Sequence, residues 1–346
     1  MADALPAGGK IVDLLTGQDG LAIVSGATLA FSLLTYILLD GTDLGVGIWL
    51  GLTRQAADRH RLALSILPIW DANETWLVLL LGGMLALFPT AYSAFFTAML
   101  VPSLMMAIAL VLRGAAVEFR QVSRRPWLCD LAIFAGSLSA AFFQGILFGS
   151  VIQGIPGGAA PPETLLWCTP FTLFSGGLVV VLYLLMGAGW LIWRMAGELS
   201  NFYRRRAAWL GVLTLLLGAV FLAWMIRLNA HNAARWQDTP VWVTFLGLLA
   251  ILTWIFYRVL HHHLTVLPLM TLLLAVAFVF MAIALTLFPL LLPPHVTLFN
   301  SAAPAATQGF VLVGYGLVIP FTLFYNTYVF SVFRGKIHRQ SVSVKN

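Results

Sequence analysis

The chain has 346 residues, 60% of them hydrophobic and only 9% charged, with a mean hydropathy of +0.93. A soluble domain carries about 25% charged residues, so a soluble fold is excluded and the unit to count is the apolar segment of about 20 residues that crosses a bilayer. The formal net charge of +6 comes from basic residues scattered over several short loops, with no single stripe to follow a nucleic-acid backbone, so no nucleic-acid partner is expected.

Residues 1 to 20 are polar and include Asp3, Asp13 and Asp19. This is unlike the basic start of a cleavable signal peptide, so the first apolar run is expected to stay attached. Nine runs are long enough to cross, at roughly 21–52, 62–88, 91–117, 129–153, 165–193, 207–227, 240–257, 264–290 and 309–333. They lack the alternation of a barrel wall, and in hydrocarbon such a run satisfies its backbone only as helix. Strands are therefore not expected. The prediction is an all-α fold, one integral membrane domain over residues 1–346 with nine transmembrane helices.

The first run contains Leu39-Asp40-Gly41-Thr42-Asp43-Leu44-Gly45-Val46-Gly47. Asp40 and Asp43 are spaced i, i+3 and share a helix face. Gly41 with Gly45, and Gly47 with Gly51, form two small-xxx-small patterns that let a neighbouring helix approach closely. The second run contains Pro68-Ile69-Trp70-Asp71-Ala72-Asn73-Glu74-Thr75-Trp76. Asp71 and Glu74 repeat the i, i+3 spacing, Pro68 frees the carbonyl of Leu64 for other contacts, and Trp70 and Trp76 read as packing residues. The third run supplies one buried cation, Arg113.

An intramembrane charge costs roughly 2.5 to 3.5 kcal/mol on insertion scales. Four unpaired carboxylates would cost on the order of 10 kcal/mol, comparable to the stability of a whole fold, so they must be paired, protonated or hydrated. Counted inward from the loop arginines at about 1.5 Å per residue, Asp43, Asp71 and Arg113 lie at a common depth. The bland expectation is an ion pair in which Arg113 holds Asp43, with Asp71 as a further partner and Asp40 and Trp70 in supporting roles. One arginine cannot neutralise four carboxylates, however, and carboxyls without a counter-ion can carry protons. Asp71 is therefore the first candidate for a proton relay and Glu74 the second.

Further along, Cys129 and Cys168 fall at opposite ends of their runs, so a disulfide would have to bridge the membrane; both are expected to be buried apolar fillers. Trp127, Trp167, Trp236 and Trp242 lie near run ends, as in an interfacial belt. The tract His261-His262-His263 beside Arg258 reads as headgroup-facing rather than metal-binding. All seven histidines are placed in loops or at helix ends. Haem ligation within a bundle needs a buried His, Met or Cys, and Met84, Met105, Met106 and Met281 read as gap fillers, so this chain alone is expected to bind no haem and no metal. No phosphate loop, nucleophile elbow or metalloprotease motif is present.

Nine crossings put Arg54, Arg59 and Arg61, then Arg113, Arg120, Arg124 and Arg125, then Arg194 and Arg204 to Arg206, then Arg258, and finally Arg334, Lys336, Arg339 and Lys345 on one side. Only Lys10, Arg227 and Arg235 fall on the other. The positive-inside rule then predicts a periplasmic N-terminus and a cytoplasmic C-terminus.

The stretches Asp40-Gly41-Thr42-Asp43-Leu44-Gly45 and Trp70-Asp71-Ala72-Asn73-Glu74-Thr75-Trp76 resemble the Asp-Gly-Phe-Asp-Leu-Gly and Trp-Asp-Gly-Asn-Glu-x-Trp motifs of subunit II of cytochrome bd-type quinol oxidases. The similarity continues through Phe88-Pro89-Thr90-Ala91-Tyr92, residues Leu112 to Arg120, Phe142-Phe143-Gln144-Gly145, Thr169-Pro170-Phe171 and Phe333-Arg334-Gly335-Lys336. The Gln-Gly and Thr-Pro-Phe elements are similar to the cyanide-insensitive branch. Thr42 replaces the usual aromatic and Ala72 the usual glycine.

The resemblance implies two four-helix bundles plus a peripheral helix, paired in a heterodimer with a haem-bearing subunit I. It also admits a small single-helix accessory subunit. By the same resemblance, two b-type haems, a d-type haem and the quinol site are expected on subunit I, with no cofactor on this chain. The complex is then expected to reduce oxygen to water with quinol electrons in the bacterial inner membrane, without pumping, and the Asp71 position to help deliver cytoplasmic protons. On composition alone the competing readings are a proton-coupled secondary transporter and a structural membrane scaffold.

Overall fold

The structure, a computed structural model, describes residues 17–155, 167–228, 233–234, 236, 239–333 and 335–337. Lys10, Asp3, Asp13, His231, Arg235, Arg334, His338, Arg339 and Lys345 lie outside the described residues. The helices are α1 (Gln18–Leu52), α2 (Ala56–Ile66), α3 (Trp70–Leu87), α4 (Pro89–Ala98), α5 (Leu100–Phe119), α6 (Pro126–Gln153), α7 (Pro170–Arg194), α8 (Glu198–Leu228), α9 (Thr239–His261), α10 (Leu267–Leu287), α11 (Leu298–Ser301) and α12 (Ala305–Val332). Among the described residues eight helices are long and apolar enough to cross a membrane, and α2 with α3 makes a ninth span bent by 50°.

Two runs expected to be single helices are broken. Pro68 lacks an N–H and clashes with the preceding turn, so α2 ends at Ile66 and α3 begins at Trp70. The third run is interrupted at Met99, which leaves the helical region (φ −110°, ψ 27°) between α4 and α5. Proline also starts helices: Pro89, Pro126 and Pro170 each take the first helical position, where a missing N–H costs nothing. In the Thr-Pro-Phe element, the Thr169 hydroxyl accepts from the Thr172 amide at 3.2 Å and the Thr172 hydroxyl from the Thr169 amide at 2.9 Å, a reciprocal cap for the first turn of α7.

Strands do occur, contrary to expectation. Leu290–Leu292 (β1) and Val296–Thr297 (β2) form a two-stranded antiparallel hairpin between α10 and α11. It lies outside the helices, where the chain must turn and pair its backbone locally. The sixth run also begins earlier than expected, because α8 includes Arg204 to Arg206. Arg204 donates to the carbonyls of Leu260 (2.9 Å) and Leu264 (3.0 Å), satisfying acceptors left over at the end of α9. Arg194 does the same for the carbonyls of Phe333 and Gly335 after α12. Arg61 Nη2 holds the carbonyl of Ile337 at 3.0 Å. Several arginines at the basic ends of the helices thus clasp the ends of other helices and the segments that follow them.

Helix α1 is the axis of the assembly, buried almost without interruption from Asp40 to Leu50. Its glycines explain this. A Cβ on Gly45 would lie 1.8 Å from the carbonyl oxygen of Tyr183 on α7, and one on Gly187 would lie 2.4 Å from the Gly45 carbonyl carbon. Gly47 and Gly51 instead receive the side chains of Ser137 and Phe134 of α6. The two small-residue patterns therefore serve two different neighbours. Gly45→Ala is expected to push α1 and α7 apart at a cost of about 1–3 kcal/mol or more, read as a lowered unfolding temperature of the solubilised protein. Gly218→Ala, where a Cβ meets nothing within 4 Å, should not lower it, since alanine is favoured over glycine inside a helix.

Candidate functional site

The acidic motifs of α1 and α3 and the arginine of α5 meet in the bundle interior. Asp40, Asp43 and Arg113 are fully buried. Arg113 Nη2 lies 2.9 Å from Asp40 Oδ1 and also pairs with Glu74 Oε1, whose side chain keeps 25% of its exposure. Asp43 is not the ion-pair partner. Its Oδ2 accepts from Asn73 Nδ2 at 2.6 Å. The correction has a geometric cause: Asp40 is only about 4.5 Å deeper than Asp43 along the helix, within reach of an arginine side chain, and helix rotation turns Asp40 toward α5 and Asp43 toward α3. Asp71 is not paired with Arg113 either. It sits exposed in the first turn of α3 and makes no ion pair among the described residues.

Surrounding side chains of α1, α3, α5, α6 and α7 hold this cluster in place. The Trp70 ring lies on α5, with the Arg113 guanidinium 5.9 Å from its centroid and a Cβ on Gly114 only 2.7 Å from it. Trp70 Nε1 donates to Glu118 Oε1 at 3.1 Å. On the other side, Tyr183 Oη donates to Gln144 Oε1 at 2.8 Å and Gln144 Nε2 donates to Tyr36 Oη at 2.6 Å. The Tyr36 hydroxyl faces the Asp40 carboxyl one turn along α1. These bonds tie α1, α6 and α7 together beside Asp40. Thr42 adds no unmet polar group, since its hydroxyl bonds the Leu38 carbonyl at 2.8 Å.

Tyr36, Asn73, Glu118, Gln144 and Tyr183 were not singled out by the sequence reasoning for these roles. Glu118 carried a signal, an acid five residues after Arg113; the others are uncharged. At the basic end of the bundle, Asp130 bridges Arg59 (2.8 Å) and Arg120 (2.6 Å), and Arg120 Nη1 meets His60 Nδ1 at 2.9 Å. His60 thus lies within α2 rather than in a loop. Cys129 is half-buried and Cys168 exposed, both as free thiols, so neither is the buried filler expected. The tract His261 to His263 is exposed. Among the described residues no group of three or more His, Cys, Asp or Glu is arranged to hold a metal ion.

A family model described as cytochrome bd terminal oxidase subunit II matches residues 21–333, nearly the whole chain. The chain belongs to this family. It is 29% identical over 207 residues to the cytochrome bd-I ubiquinol oxidase subunit 2 of Escherichia coli K12, covering 56% of this chain and 54% of that protein. It is 31% identical over 197 residues to the cytochrome bd ubiquinol oxidase subunit 2 of Bacillus subtilis, covering 54% and 56%. The chain thus spans about half the length of the curated relatives it matches. In fold it is similar to a chain of the bd oxidase from Geobacillus thermodenitrificans, with a TM-score of 0.77, 19% identity and coverage of 90% of this chain and 98% of that one. As a bd oxidase subunit II, the chain is a multi-pass membrane protein. Asp40, Asp43, Asn73, Glu74 and Arg113 form one cluster in it, while Asp71 lies exposed on α3.

Proposed function

We propose that this chain acts as subunit II of a terminal quinol oxidase, paired with a haem-bearing subunit I in the bacterial inner membrane, its arginine-rich end facing the cytoplasm. Quinol would supply the electrons and oxygen would be reduced to water on subunit I, which would carry the two b-type haems and the d-type haem. This chain's share is to hold that partner and to pass cytoplasmic protons inward through Asp71, with Glu74 next to it.

What carries the reading is the face of α3. Asp71, Thr75, Val78, Gly82 and Leu85 recur at helical spacing and are all exposed, next to exposed Glu118 on α5. An ionisable side chain turned to lipid costs roughly 2.5–3.5 kcal/mol, so a face carrying both acids calls for a protein cover that supplies polar contacts. Behind that cover, Asp71 leads to Glu74, which is part-exposed, and from there to the Arg113 cluster. A proton-coupled transporter would also place acids within the membrane, but would not need a second subunit on this face.

The test is the absorption spectrum. Purified with its partner, the chain should bring a haem Soret band; expressed without it, the chain should be colourless. Stoichiometric haem in the isolated chain, or isolation of a stable and active single-chain transporter, would overturn the reading.

A further inference from the structure

We propose that Asp43 is a neutral carboxylic acid, locked with Asn73 as an acid–amide pair that positions the first turn of α3. This pairing lies within the chain itself and holds whatever the chain's partner. Asp43 Oδ2 accepts from Asn73 Nδ2. The two remaining oxygens, Asp43 Oδ1 and Asn73 Oδ1, are both buried and without a hydrogen-bond partner among the described residues. They are two acceptors that lack one donor. An ionised aspartate has no proton to give, whereas a protonated one has a single O–H. Placed on Oδ1, that O–H donates to Asn73 Oδ1 and closes a ring with the amide N–H donated in return.

The charge distribution agrees. The charged groups acting on Asp43 are Asp40 on its own helix, Glu74 on α3 and Arg113 on α5. Arg113 spends Nη2 on Asp40 and Glu74, and among the described residues no ion pair or hydrogen bond joins it to Asp43. An ionised Asp43 would be a third anion around one guanidinium in a fully buried site, and a buried charge without a partner neutralises itself instead. Asn73 lies between Asp71 and Glu74, one turn beyond the break at Pro68. The pair therefore ties α3 to α1 where α3 restarts, and fixes the direction of both acids.

The test uses the full chain in its complex. In Asp43→Asn an N–H replaces the O–H and the ring survives, so the variant should accumulate and unfold as wild type does. Asp40→Asn, which strips a counter-ion from Arg113, should reduce accumulation by about tenfold or more. In infrared spectra, a protonated-carboxyl C=O stretch that shifts in D₂O should be present in wild type and missing in Asp43→Asn, and the exchanged pair Asp43→Asn/Asn73→Asp should restore it. Two results would each overturn the proposal. One is failure of Asp43→Asn to accumulate, which would mean that a negative charge is needed there. The other is loss of carboxylate bands rather than the acid band, as expected of an ionised, water-bridged Asp43.

Discussion

An Arg113→Leu variant is expected to assemble poorly or not at all. The substitution removes the cation that, among the described residues, contacts both Asp40 and Glu74 and leaves a fully buried carboxylate without that counter-ion. Breaking a buried pair from one side costs about 3–5 kcal/mol, a large part of the roughly 5–15 kcal/mol that holds a typical fold together. The Trp70 ring, which packs over the guanidinium, would lose that contact as well. Arg113→Lys keeps the charge but offers a point donor instead of a planar fork serving two carboxylates, so an intermediate level is expected. Quantifying the protein in membranes and its unfolding temperature in detergent decides the matter: wild-type values for Arg113→Leu would show that the pair is not structural.

Asp71→Asn should do the opposite, sparing assembly and removing activity. Asp71 is exposed on α3 and makes no ion pair among the described residues, so an isosteric amide costs the fold little. It cannot release a proton, however, and a positioned proton-transfer group is worth roughly a hundredfold or more. Oxygen consumption by the complex is therefore expected to fall by at least about an order of magnitude while the haem spectrum stays normal. Asp71→Glu should recover part of the rate. Wild-type turnover in an Asp71→Asn complex with intact haems would leave this residue only a structural role.

These two residues also mark the boundary between what was legible in the sequence and what was not. The spans were legible because a backbone in hydrocarbon must satisfy its hydrogen bonds within its own segment, a local demand that apolar runs and prolines record directly. The break at Pro68 had such a signal. The break at Met99, three residues before Pro102, and the hairpin that begins after Pro289 and turns at Pro293-Pro294 carried one too, which hydropathy alone passes over. The acids and Arg113 could be recognised as a set because intramembrane charge is costly anywhere along a helix. Depth, counted residue by residue, brought them to one level.

Depth carries no azimuth, and so the sequence by itself could not say that Arg113 meets Asp40 and Glu74 while Asp43 turns to Asn73. That choice depends on the rotation of α1 between α3, α6 and α7. Gly45 against Tyr183 and Gly187 brings the backbones of α1 and α7 into contact, while Gly47 and Gly51 seat the Ser137 and Phe134 side chains of α6, and together they orient α1. The glycines were visible in the sequence as places of close approach; which helices they would receive was decided only by tertiary packing, because contact between surfaces depends on the shape of both.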